Sequence, residues 1–274
     1  MSSPNHEIIK SPNHIALTRA VSPAIDRCEL THRGREPIDF ARAVAEHDAY
    51  EAALAALGCR IERLADLPDC PDGVFVEDIA VVLDDLAIVA RPGAVSRRPE
   101  VESVVPRLGQ WRRLASIDAS GTLDGGDVLV TPGHVWVGIS SRTNAEGARQ
   151  LAALVAPFGF ATTCLQVTGC LHLKSAVTLA AERTLLLNAD WIDPASFPGF
   201  VALAIDPGEP FAANVLRIGE RVLCASEHPR TRARLEEHGI TTLTVDVGEL
   251  AKAEGSLTCC SLIVSADWRV QSAD

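Results

Sequence analysis

Two cysteines stand side by side near the C-terminus, Cys259 and Cys260 in LTCC. A thiol becomes a nucleophile when a neighbouring base can handle its proton, so the question is which histidine reaches it. On an extended strand, adjacent side chains point to opposite faces; one cysteine can then enter a pocket while the other packs. A pair of core cysteines is the alternative reading. Of the eight histidines, His172 differs from the rest. It lies between Leu171 and Leu173 in CLHLKSAV, and strand alternation turns it away from both leucines. A histidine satisfied inside the core is the competing possibility. His6, His14, His32, His47, His228 and His238 fall in loops or on helices, and His134 falls in a Pro-Gly turn.

Carboxylates gather in two stretches, PDGVFVEDIA with Asp72, Glu77 and Asp78, and TLDGGDVLV with Asp124 and Asp127. Any one of them alone reads as a turn or cap residue. Three acids at one pocket mouth suit a planar cation such as a guanidinium, held by paired charge-assisted bonds. Asp124 precedes Gly125-Gly126, which permit close backbone approach. Arg97 and Arg142 follow strand-like segments and precede helices; they either bind a carboxylate or sit on the surface. Together these parts suggest a thiol enzyme acting on a cationic amidine or guanidine. A zinc hydrolase built from His172, Cys259 and Asp124 is conceivable, but no HExxH or comparable ligand pair supports it.

The elements that must position these residues repeat. HIALTRA reads as a strand, Asp39 to Leu57 as an amphipathic helix, and CRIERL as a strand. VEDIAVVLDD and LAIVARPG follow as paired strands, then a helix over Pro99–Leu108 and the strand WRRLASID. GGDVLVTPGHVWVGIS is a hairpin, followed by a helix over Thr143–Phe158 and the strand ATTCLQV. LKSAVTLA and RTLLLNA precede a short helix around Pro194–Phe197 and the strand VALAID. FAANVLRIGERVLCAS, a helix over Thr231–His238 and ITTLTVD form the fifth unit, and SLTCCSLIV returns as a strand to the first sheet. A ββαβ order thus recurs five times at a period of roughly 50 residues, with negligible identity between units; an ordinary mixed α/β domain is the plainer alternative. No GxGxxG follows the first strand and no GxxxxGK[ST] occurs, so nucleotide-binding readings lose their main support. No domain-separating linker appears, and one domain over residues 1–274 is expected.

Composition limits the partners. The 274 residues are 47% hydrophobic and 22% charged, enough apolar material for a sizeable core. Asp and Glu outnumber Lys and Arg by 36 to 25, a net charge of −11, which disfavours nucleic acid and anionic membranes but leaves room for a small cation. Eight cysteines without a CxxC pair fit buried thiols in a reducing compartment, and MSSPNHEIIKSPNH has no apolar export signal, so a cytoplasmic location is expected.

Six ordered stretches carry a family resemblance: PDGVFVEDIAVV, RPGAVSRRPE, TLDGGDVLV, VGISSRTNAEGARQ, LHLKSAV and LTCCSLIV. Over about His14 to Val264 the chain resembles the dimethylarginine dimethylaminohydrolases of the guanidine-modifying (pentein) superfamily. The related arginine deiminases carry an inserted helical domain for which this chain has no room. The resemblance implies a five-bladed β/α-propeller of ββαβ modules around a central pocket, and hydrolysis of asymmetric N-methylated arginine to citrulline and a methylamine. It implies Cys259 as nucleophile, His172 as general acid/base, and Asp124 as the carboxylate that binds the guanidinium and supports His172. Asp72 and Asp78 match substrate contacts, with Glu77 in the same network. Arg97 and Arg142 match the grips on the substrate α-carboxylate, and Leu30 falls in a loop that covers the pocket. Cys260 is expected to be structural. No metal or organic cofactor is expected, and the chain is expected to work as a monomer or homodimer. A deiminase of free arginine and a non-enzymatic relative remain alternatives.

Overall fold

A computed structural model describes residues 14–265. The N-terminal stretch read for an export signal lies almost wholly outside them. In chain order, β1 (His14–Thr18), α1 (Phe40–Ala56) and β2 (Cys59–Arg63) come first; then β3 (Ala80–Val82), β4 (Leu86–Val89), α2 (Val105–Leu108) and β5 (Arg113–Ser116). Next come β6 (Val128–Thr131), β7 (His134–Ile139), α3 (Ala145–Val155) and β8 (Ala161–Gln166). The one-turn α4 (Leu173–Ala176) leads into β9 (Val177–Ala181), β10 (Thr184–Leu187) and β11 (Val201–Ala204). The chain ends with β12 (Leu216–Ile218), β13 (Arg221–Ala225), α5 (Pro229–Glu237), β14 (Thr241–Val245), α6 (Gly248–Lys252) and β15 (Leu262–Ser265).

The strands form five three-stranded sheets in the orders β15-β1-β2, β3-β4-β5, β6-β7-β8, β9-β10-β11 and β12-β13-β14. In each sheet the middle strand pairs antiparallel with the first and parallel with the last. The parallel pairing needs a crossover, which supplies the helix or helical turn of each module. The register of β1 runs from His14 opposite Ser265 to Leu17 opposite Leu262, so the last strand completes the first sheet. This is the ββαβ propeller expected from the sequence.

Caps set the long helices. The Asp39 carboxylate accepts the Arg42 N–H to start α1, and the Asn144 side chain accepts the Gly147 N–H to start α3. The apolar core is divided among the modules: Val81, Ile88, Val135 and Leu151 pack in one cluster, and Ala180, Leu186, Val222 and Leu235 in another.

The first strands of the five sheets, β15, β3, β6, β9 and β12, surround a central cavity of about 460 Å³ with Val81, Val128, Leu179, Leu216 and Ile263 on its wall. The residues just before these strands therefore converge at one end of that cavity. The structure corrects the sequence reading at those same places. Val76–Ile79 is a 3₁₀ turn, with the strand confined to Ala80–Val82. The expected strand through LKSA is helical, and LTCC is a turn that ends before β15. The expected helix over Pro99–Leu108 is a 3₁₀ segment, Val95–Ser103, followed by a single α turn. Pro99 has no N–H for a regular α ladder.

Candidate active site

Each chemistry-bearing residue sits on a short irregular segment that leads into a cavity-lining strand. Asp72 and Asp78 precede β3, Asp124 precedes β6, His172 precedes β9, and Cys259 precedes β15. A small buried cavity is lined by Asp72, Asp78, Arg97, Arg142, His172 and Cys259, with Phe75 and Leu171 among its apolar walls. Residues far apart in sequence thus meet at the hub.

His172 is the N-terminal flanking residue of α4, not a strand residue. Asp127 fixes this turn: its Oδ1 accepts the Leu173 N–H at 3.0 Å, and its Oδ2 accepts the Ser140 hydroxyl at 2.5 Å. The imidazole Nε2 lies 3.2 Å from Asp124 Oδ2, while Nδ1 is 3.7 Å from Asp78 Oδ1, too far for a hydrogen bond. Burial disfavours the imidazolium, but the charges of Asp78, Asp124 and Asp127 outweigh it and push the His172 pKa up to about 9. At neutral pH His172 is therefore a cation holding a proton on Nδ1 that no acceptor among the described residues engages closely. Gly126 makes room for the ring: a Cβ there would lie 2.5 Å from His172 Nδ1. Its N–H donates to Asp78 Oδ1 at 3.0 Å.

Burial opposes ionisation of Asp78, yet His172 and Arg97 overcome it and hold the pKa down to about 2. Asp72 is left with less compensation. Burial outweighs the Arg97 charge and the Glu29 N–H bond and raises its pKa to about 6. Cys259 is buried, and first burial, then the anions Glu77 and Asp78, push its thiol far above the ordinary range. The resting pair is therefore a neutral thiol and an imidazolium. An arriving cation reverses the local field and favours the thiolate.

The two arginines differ. Arg97 donates to Asp78, to both oxygens of Glu100 and to the carbonyls of Asp72 and Phe75, which occupies most of its donors. Arg142 is loosely held, 3.7 Å from Asp124 Oδ2 and 3.3 Å from Thr31 Oγ1. Its guanidinium faces the cavity with donors to spare.

Three expected site residues lie off the cavity wall. Asp124 is fully buried behind His172, its Oδ1 accepting the Gly93 N–H at 2.9 Å. Leu30 packs half-buried against the apolar cluster that contains Cys259. Glu77 faces the larger cavity instead, where it accepts Lys174 Nζ at 2.5 Å and the Thr258 hydroxyl at 2.7 Å. The 3₁₀ turn at Val76–Ile79 explains this, because it points Glu77 and Asp78 to different ends of the hub. Asn214 braces the same group, donating to Thr258 Oγ1 at 3.0 Å and to the Lys174 carbonyl at 3.1 Å.

Sequence reasoning passed over the supports of the nucleophile. Tyr50, the one tyrosine of the chain, reaches from α1 to the Cys259 turn. Its hydroxyl donates to the Leu257 carbonyl at 2.7 Å and lies 2.7 Å from Ser261 Oγ. Arg19, completely buried, donates to the carbonyls of Gly73 and Ala65 and so steadies the Asp72 turn. A lone tyrosine in an amphipathic helix was the available signal, but it did not name its partner.

Asp78, Asp124 and His172 place one ligand atom each within 4.8 Å of one another, a spacing that a metal ion can use. Arg97 already neutralises Asp78 and Arg142 approaches Asp124, so the group is charge-balanced by the protein itself.

No protein-family model matches the chain. It is 41% identical over 258 residues to N(G),N(G)-dimethylarginine dimethylaminohydrolase of Streptomyces coelicolor, covering 92% of this chain and 97% of that protein. It is 33% identical over 251 residues to the enzyme of the same name from Pseudomonas aeruginosa, covering 91% and 98%. Among solved structures, a cysteine-to-serine variant of the Pseudomonas aeruginosa enzyme complexed with citrulline superposes with a TM-score of 0.86 at 32% identity, over 92% of this chain and 99% of that one.

Proposed function

The chain belongs to the dimethylarginine dimethylaminohydrolase family, and from that premise we propose that it hydrolyses asymmetric N-methylated arginine to citrulline and dimethylamine or methylamine. The observation that carries the proposal is the meeting of Cys259, His172 and Asp78 in one buried cavity that also holds Arg142. A thiol, a proton donor and an anion surround the space for a guanidinium, and a cation marks the end for an α-carboxylate.

The substrate guanidinium sits against Asp78, with Asp124 behind His172, while Arg142 and the remaining Nη1 donor of Arg97 take the carboxylate. The positive charge of the substrate favours the thiolate, so Cys259 releases its proton to solvent and Sγ bonds to the guanidinium carbon. The bond from that carbon to the methylated nitrogen breaks, and His172 gives its proton to the departing amine. A covalent thiouronium on Cys259 remains. Neutral His172 then takes a proton from water as the water oxygen attacks the same carbon. The C–S bond breaks, citrulline leaves and the thiolate is restored. Asp124 holds the imidazole through both proton transfers, and Asp127 holds the turn that carries it. All of these steps use side chains of the chain itself.

The closed circuit of five sheets supports one catalytic domain, and we propose that it acts as a monomer or homodimer. A cytoplasmic location is supported by eight free cysteines. No helix among the described residues is long and apolar enough to cross a membrane. The substrate is a small cationic amino acid, and neither nucleic acid nor a membrane is required.

A substrate panel with identification of the released amine tests this reading. Asymmetric dimethylarginine should give dimethylamine and citrulline. Free arginine turned over to ammonia at ten or more times the methylarginine rate would reject it in favour of a deiminase.

A further inference from the structure

Residues 28–39 have no regular secondary structure, and Glu29 of this segment lines the active cavity. Four carboxylates hold its backbone: Asp26 and Glu249 accept the Ile38 and Asp39 N–H groups at its far end, and Asp72 and Glu254 hold the part nearest the cavity. Asp72 accepts the Glu29 N–H at 3.1 Å. Glu254 accepts three successive N–H groups, those of Thr31 at 2.9 Å, His32 at 2.6 Å and Arg33 at 2.6 Å. Hydrogen bonds to an ionised carboxylate are the strong kind, and three of them on one side chain pin a loop that has no ladder of its own. Arg33 continues the contact, donating to the Ala251 carbonyl at 3.0 Å and lying 4.3 Å over the Phe211 ring.

Glu254 is also in an unusual backbone position. It follows the end of α6, where its N–H bonds the Ala251 carbonyl and the Gly255 N–H bonds the Leu250 carbonyl. That pair of bonds defines a Schellman end, whose left-handed residue is most often glycine. Glu254 occupies it at φ 58, and among the described residues it alone of the non-glycine residues has positive φ. Glycine has not been used where glycine is easiest. The next position is constrained from the other side, since a Cβ on Gly255 would lie 2.1 Å from Cε1 of Phe75, a wall of the active cavity. Glu254 thus stands on the rim of the active cavity, its backbone clamped between a helix end and Phe75, and its carboxylate bonds the backbone of the covering loop.

We infer that Glu254 is a positioning residue: its carboxylate latches the 31–33 backbone over the active cavity and thereby presents Thr31 to Arg142. The link is direct, because Arg142 Nη2 donates to Thr31 Oγ1 at 3.3 Å. The latch itself depends on no substrate, whereas its effect on turnover rests on the proposed function above.

Glu254→Gly removes the carboxylate while suiting the left-handed backbone, and Glu254→Gln keeps the length but loses the charge. In the substrate-free full chain, trypsin should cut after Arg33 about tenfold faster in both variants, as the local opening equilibrium shifts. With asymmetric dimethylarginine, KM should rise about tenfold while kcat changes by less than about threefold. The melting temperature of Glu254→Gly should hold or rise, which separates a latch from a general loss of stability. Cleavage after Arg33 at the wild-type rate in Glu254→Gly would overturn the inference, whatever happens to KM. Faster cleavage in a chain inactive on methylarginines would uphold the latch and reject only the substrate reading.

Discussion

His172 Nε2 lies 3.2 Å from Asp124 Oδ2, with both side chains buried and Asp78 Oδ1 on the other side of the ring. A buried imidazole is ordinarily driven neutral. Here the surrounding carboxylates keep it protonated, so the acid needed for amine departure is present before substrate arrives. The neutral state of Cys259 is the complement, since burial and the charges of Glu77 and Asp78 oppose the thiolate until a cation enters.

The pH profile follows from that pair. The alkaline limb of kcat/KM should fall near pH 9, where His172 loses its proton. Asp124→Asn removes an anion that raises this pKa, so its alkaline limb should move to lower pH. The imidazolium also stabilises the fold. Its contribution is present in full below the unfolded value of 6.5 and is lost as pH rises through about 9. Rate and denaturation profiles from pH 6 to 10 on both proteins check these statements. An unmoved alkaline limb would count against the assignment.

Arg97→Ala and Arg142→Ala should part company. Loss of Arg97 leaves Asp78 and Glu100 buried without their partner, a change that costs roughly 3–5 kcal/mol in urea unfolding. Loss of Arg142 removes a weakly paired group, so stability should change little while KM for methylarginine rises by about a factor of ten or more. Arg142→Ala with unchanged KM would remove it from the carboxylate grip.

Glu77 and Lys174 form a largely buried ion pair on the wall of the larger cavity. Lys174→Met leaves the buried Glu77 without its cation and should destabilise the fold by roughly 3 kcal/mol. Adding Glu77→Gln should recover a good part of that loss, because the unpaired charge is gone. A double-mutant cycle by urea unfolding checks the coupling; two strictly additive single losses would contradict it.

Much of this was legible in the chain. The apolar runs at HIALTRA, GGDVLVTPGHVWVGIS and RTLLLNA mark strands of the propeller, because these strands are buried on both faces. Cys259, His172, Asp72, Asp78, Arg97 and Arg142 converge on one cavity as the motifs implied. What pattern could not show was the local geometry at the hub. VED, LKSA and LTCC were all read as strand, yet each is a turn held by tertiary bonds. Glu77 N–H donates to the Cys259 carbonyl, and Leu173 N–H to Asp127. Partners so distant in sequence leave no trace in a local window. For the same reason Glu77 was assigned to the substrate, although its cation, Lys174, lies 97 residues away. Tyr50 and Glu254 were missed because their roles exist only once α1, α6 and the covering loop have come together.

The most direct test is acid quench of a turnover mixture with asymmetric dimethylarginine, followed by mass spectrometry of the tryptic peptide that contains Cys259 and Cys260. Fragmentation should place an adduct of substrate mass less dimethylamine on Cys259, and none on Cys260. An unmodified Cys259 during sustained turnover, or an adduct on Cys260, would contradict the account.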